Sequence, residues 1–203
     1  MIVAGQASSP DFPSVSATQE TYGGGPNDAF VAAIDPSASG DASLLFSTFL
    51  GGQGGDRAHG VSAGSEAAVW VAGQASSLGF PIIDPSSTAA GGGASDAFAA
   101  RFDLATAPAL RFSTILGGPG DDRAHGVVAT ASGDVVLAGR TDSPGFPPNA
   151  ARYGPGGGTD AFVLRIAGAG GGVLPSVPTL SAMALALLAT GLGAAGLFLA
   201  RRL

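Results

Sequence analysis

GGQGGDRAHG at residues 51–60 returns as GGPGDDRAHG at residues 117–126, 66 positions later (117 − 51). Glycines for tight turns, then aspartate, arginine and histidine, have the look of a catalytic or metal site. A chain rarely carries two copies of one active site, so the pair is first a question about repetition. Outward from it, VAGQASSPDFP at 3–13 aligns with VAGQASSLGFP at 71–81 and LAGRTDSPGFP at 137–147, periods of 68 (71 − 3) and then 66 (137 − 71). Each copy leads through a loop closing in glycines to NDAFVAAID, SDAFAARFD or TDAFVLRIA. The decapeptide recurs because it belongs to a structural unit that recurs.

Within a unit the apolar period is two. Phe30, Ala32 and Ile34 share one side of a strand, as do Phe98, Ala100, Phe102 and Phe162, Leu164, Ile166. LLFSTFL at 44–50 and LRFSTIL at 110–116 repeat the alternation, AHGVSA and AHGVVA give a small-residue strand, and AVWVAG and VVLAG a β-branched one. Four short strands, a long connection and four more predict an all-β chain of four-stranded antiparallel blades set radially, a partial β-propeller. The strands group as two complete blades, 28–74 and 96–140, with single strands 2–6 and 160–166 at the ends. Phe30, Ile34, Phe98, Phe102, Phe162 and Ile166 are predicted to be buried at strand interfaces, with Phe12, Phe80 and Phe146 anchoring long loops between blades.

Composition agrees with many turns and short elements: 34 glycines and 14 prolines, with 12% charged residues. All nine basic residues are arginine, and two of them, Arg201 and Arg202, are terminal. The rest of the chain sets seven arginines against all 15 acids, a net of −8, which argues against nucleic acid as a partner. With no cysteine, disulfides, thiolate metal sites and cysteine nucleophiles are excluded.

The candidate chemical groups read as structural. GGQGGD and GGPGDD fit half of a calcium-binding nonapeptide, but such turns bind calcium when stacked in tandem, and these lie a whole repeat apart. Asp56 and Asp122 are therefore expected to accept backbone N–H bonds in turns. His59 and His125 would meet at a metal only if neighbouring blades brought them together, and no third ligand shares their spacing, so packed or hydrogen-bonded histidines are expected. Ser8, Ser9, Ser76 and Ser77 lie in no nucleophile elbow, and the triple glycines precede strands rather than helices. Trp70 aligns with Val136 and reads as packing. No catalytic, cofactor or metal residue is assigned.

The ordered set GxxxSxxFP, DAFV, FSTxLGGxGxD and a closing VAG resembles the SBBP family of bacterial seven-bladed β-propeller repeats, over residues 2–166. The resemblance implies an extracytoplasmic propeller with no catalytic residue or cofactor of its own. The chain departs from it in number, since two blades do not close a ring.

Domains follow as repeats at 1–167, a glycine-rich linker at 168–176 and a tail at 177–203. Leu180 to Ala200 carries no charge and as a helix would span about 31 Å, long enough to cross a membrane. Arg201 and Arg202 after it place the C-terminus in the cytoplasm and the repeats outside. The box Val177, Pro178, Thr179, Leu180, Ser181, one apolar helix and an arginine pair resemble the IPTL-CTERM variant of the PEP-CTERM sorting signals of Gram-negative bacteria. Valine stands where isoleucine is usual, and the tryptophan often found after the box is missing. That resemblance implies recognition and cutting by an exosortase-type membrane enzyme, with the inner membrane as a way station to the cell surface or matrix.

The function expected is that of an exported, non-enzymatic propeller for adhesion or matrix building. The alternatives are a glycan- or ligand-binding propeller, lined by Trp70, Tyr22 and Tyr153, and the C-terminal fragment of a larger propeller enzyme. Met1 falls inside a repeat, so further repeats and a signal peptide are expected upstream. A ring completed by several chains and a decayed gene remnant are the alternative accounts.

Overall fold

The computed structural model describes residues 1–83, 92–146, 151–153 and 158–168. It is all-β, built from three antiparallel sheets. The first contains β1 (Ile2–Ala7), β2 (Asp28–Ile34) and β3 (Leu44–Leu50) in that order. The second runs β4 (Arg57–Ala63), β5 (Ala68–Ala75), β6 (Asp96–Asp103) and β7 (Ala109–Leu116). The third takes β8 (Asp122–Ala129), β9 (Val135–Thr141), β10 (Ala151–Tyr153) and β11 (Asp160–Ile166) in the order β10-β11-β9-β8. Among the described residues no helix is long and apolar enough to cross a membrane. The tail at 177–203, with its sorting box and arginine pair, lies outside the described residues.

The strands fall where period two places them, but their grouping differs from the sequence expectation. The strands of 28–74 are divided between the first and second sheets, and those of 96–140 between the second and third. The connections explain the difference. The long loops 8–27 and 76–95 start and end in one sheet, because β1 pairs with β2 and β5 with β6. The described part of each loop bridges its own sheet, at Val15 to Ser47 and at Ile83 to Ser113. The glycine stretches 51–56 and 117–121 are the crossings from one sheet to the next. Short loops ordinarily stay within a sheet, and here glycine lets a short one leave it.

Packing follows from the middle sheet having two covered faces. Val69, Val71, Phe98, Ala100 and Phe102 point to a core shared with Val31, Phe46 and Leu50 of the first sheet. Trp70, Ala72, Ala97 and Ala99 point the other way, to Val135, Leu137, Phe162, Leu164 and Ile166 of the third. Every residue of β5 is consequently buried. Phe98, Phe102, Phe162 and Ile166 are at most 1% exposed, as expected from their alternation. Phe30 and Ile34 are only half-buried, against expectation. The ring of Phe30 is met by Phe12 from the long loop, whereas that of Phe98 also lies in the core between two sheets.

One device recurs in each sheet. Gly5 lies opposite Phe30, Gly73 opposite Phe98 and Gly139 opposite Phe162. A Cβ on these glycines would come within 2.9, 2.8 and 2.8 Å of the phenylalanine Cε1, so the missing side chain is the space the ring fills. The Phe of each FP pair also lies against that ring. Phe12–Phe30, Phe80–Phe98 and Phe146–Phe162 centroids are 4.7, 5.0 and 5.6 Å apart. Such tilted and edge-on contacts are the favourable arrangements for aromatic pairs. Phe12, Phe80 and Phe146 thus anchor long loops as expected, but loops within a sheet rather than between blades.

Candidate functional site

The crossings are held by buried carboxylates. Asp56, fully buried, accepts from Gly52 N at 2.9 Å, from Ser76 N at 3.0 Å and from Ser77 Oγ. Asp122, equally buried, accepts from Gly118 N at 2.8 Å and Ser143 Oγ at 2.7 Å. The serines close the knot, accepting from Gly54 N at 2.8 Å and Gly120 N at 2.9 Å. Asp56 and Asp122 are therefore the turn residues the sequence led us to expect, satisfying N–H groups that burial would otherwise leave unpaired. Ser77 and Ser143 are tied to these carboxylates, and Ser76 contributes its backbone N–H. Ser9 bonds Asp11.

A second carboxylate stands beside the first crossing. Asp28, at the start of β2, is fully buried and accepts from Gly23 N at 2.6 Å. A Cβ on Gly51 would lie 2.7 Å from Asp28 Oδ1 and 2.8 Å from Asp56 Oδ2, so only glycine passes between them. Burial pushes the Asp28 carboxyl up to about 6, opposed by the Gly23 bond and helped by the Asp56 charge. A carboxyl raised in the fold stabilises most fully below its unfolded value of 3.8, and that contribution is lost as pH rises through about 6. The difference corresponds to roughly 3 kcal/mol. Asp28→Asn keeps an acceptor for Gly23 and removes the charge. Its stability advantage over the parent chain, measured by urea unfolding, should be largest at pH 7.5 and vanish as pH falls towards 4. An advantage independent of pH would refute the assignment.

Both histidines are exposed at the surface, and His59 is hydrogen-bonded, as expected. His59 Nε2 lies 3.2 Å from Gln74 Oε1. The fold also meets the condition that the sequence left open, because β4 and β8 lie side by side and the two rings are 5.3 Å apart between centroids. Partial desolvation of its exposed ring first, then His59, Arg140 and Arg123, hold the His125 imidazole below its usual value. Among the described residues no cluster of three or more histidines and carboxylates forms.

Trp70 is 4% exposed with its ring against Phe112 at 5.6 Å, so it packs, as expected, and offers no platform for a sugar. Tyr22 is half-buried, its hydroxyl donating to Gly25 O at 2.9 Å. The side chain of Tyr153 is outside the described residues. Asp28, Gln74, Ser143 and the Arg123–Arg140 cross-strand pair were not singled out from sequence. The signal available was the alignment of the repeats, which puts Ser143 at the position of Ser77 and Asp96 and Asp160 at that of Asp28. No family model matches the chain, and neither does any curated protein.

Proposed function

We propose that the three sheets are successive blades of a β-propeller and that the protein is an exported, surface-sorted, non-enzymatic repeat protein for adhesion or matrix building. The observation that carries this reading is the use to which the repeated polar residues are put. Asp56, Ser77 and Ser143, and one oxygen of Asp122, spend their hydrogen bonds on backbone and on one another at the crossings. A repeat whose most chemical residues build its corners is a scaffold.

The tail supplies the address. Val177, Pro178, Thr179, Leu180 and Ser181 carry recognition by an exosortase-type enzyme, the apolar stretch after them holds the chain in the inner membrane, and Arg201 and Arg202 fix its orientation. The acidic body argues against nucleic acid and favours protein or glycan surfaces as partners. In the native host, surface material should lack the peptide around Leu197 by mass spectrometry. Substituting Pro178 and Thr179 should leave uncut protein in the inner membrane. Mature surface protein that retains the Leu197 peptide would replace processing by permanent anchoring.

A further inference from the structure

His59 and His125 stand a full repeat apart in sequence and side by side in space. Both occupy a β-bulge. The pairing of β4 with β5 slips between Ala58 and Gly60, and that of β8 with β9 between Ala124 and Gly126. Bulges turn a side chain out of the regular alternation and concentrate beside functional sites. The two strands are held close just past the histidines. A Cβ on Gly60 would come within 3.2 Å of Val127 N and 3.3 Å of His125 O, and Ala129 N donates to Ser62 Oγ at 3.0 Å. The imidazoles are thus aimed by two equivalent distortions on a fixed backbone.

Two imidazoles bound to one tetrahedral ion through Zn–N bonds of about 2.0–2.1 Å place their ring centroids roughly 5 Å apart. Here the separation is 5.3 Å. We propose that His59 and His125 form a two-histidine site for a borderline transition-metal dication, Zn²⁺ or Ni²⁺, where the second sheet meets the third. Gln74 positions one ligand: with His59 Nε2–H donating to Gln74 Oε1 at 3.2 Å, Nδ1 is left as the nitrogen that would bind the ion. Arg123 and Arg140 oppose a cation here, but each guanidinium has a carboxylate at 3.9 Å, Asp121 and Asp142 respectively, which offsets its charge. Water completes the coordination shell, which sets the affinity in the micromolar range. The site is independent of the surface role proposed above.

Isothermal titration of the full chain in detergent micelles with ZnCl₂ or NiCl₂ at pH 7.5 should show one ion per chain. His59→Ala and His125→Ala should each weaken binding by about ten-fold or more, and Gln74→Ala less than either. Both histidines are exposed, so circular dichroism should be unchanged in the variants. Binding should disappear at pH 5, because only neutral imidazole ligates. As a readout that needs no variant, the imidazole NMR resonances of both histidines should shift together at one equivalent of Zn²⁺. Absence of binding, unchanged affinity in the double variant, equal binding of Ca²⁺, or imidazole resonances that do not move would each overturn the proposal.

Discussion

Phe98→Ala should lower the stability of the protein by about 3–5 kcal/mol, the cost of emptying a large aromatic site in a packed core. Phe98 has no exposure and is shared by the core between the first two sheets. Its ring comes close to Gly73 and packs against Phe80 with centroids 5.0 Å apart. Truncation leaves a cavity and also removes the surface on which the 76–95 loop is anchored. The midpoint of thermal unfolding should fall by about 10 °C, given roughly 2–4 °C per kcal/mol for a chain of this size. Phe30→Ala, at the equivalent but half-buried position, should cost clearly less. A loss below about 1 kcal/mol for Phe98→Ala in urea unfolding would remove that side chain from the core.

Gly73→Ala should be nearly as damaging by the opposite route. The added methyl collides with the Arg57 carbonyl oxygen of β4 and comes within 2.8 Å of Phe98 Cε1 of β6, so strands on both sides must move. Overpacking of this kind typically costs about 1–3 kcal/mol, and a clash with backbone belongs at or above the top of that range, about 3 kcal/mol. Gly126→Ala is the matched control. It places the same methyl in a strand where nothing lies within 4 Å, and should change stability by no more than about 0.5 kcal/mol. Equal stability of the two variants would sink the idea that Gly73 is where the Phe98 ring fits.

The positions of the strands were legible from sequence because alternation is a local property. LLFSTFL at 44–50 is β3 to the residue. Which strands share a sheet was not legible, because period two identifies a strand and says nothing of its partner. Loop length pointed the wrong way: the long connection 76–95 joins neighbours in one sheet, while the short stretch 51–56 changes sheets. The roles of Asp56 and Asp122 followed from turn chemistry. The approach of Asp28 to Asp56 did not, since it depends on how the start of β2 folds against a crossing that follows only after β3. The histidine pair was visible only as a condition, because two side chains separated by a whole repeat meet only if successive sheets stack in register.

Each complete sheet is stitched from two successive copies of the sequence unit, β4 and β5 coming from one and β6 and β7 from the next. The consequence is genetic. Because every copy is joined to its successor by the same strand pairing, recombination between any two equivalent codons adds or removes one whole repeat and reconnects each strand with its accustomed neighbours. No new interface has to arise when copy number changes. A crossover between non-equivalent codons would instead set a strand out of phase and turn its apolar side away from the core. Selection on such a gene therefore polices the phase of its repeats more strictly than their number.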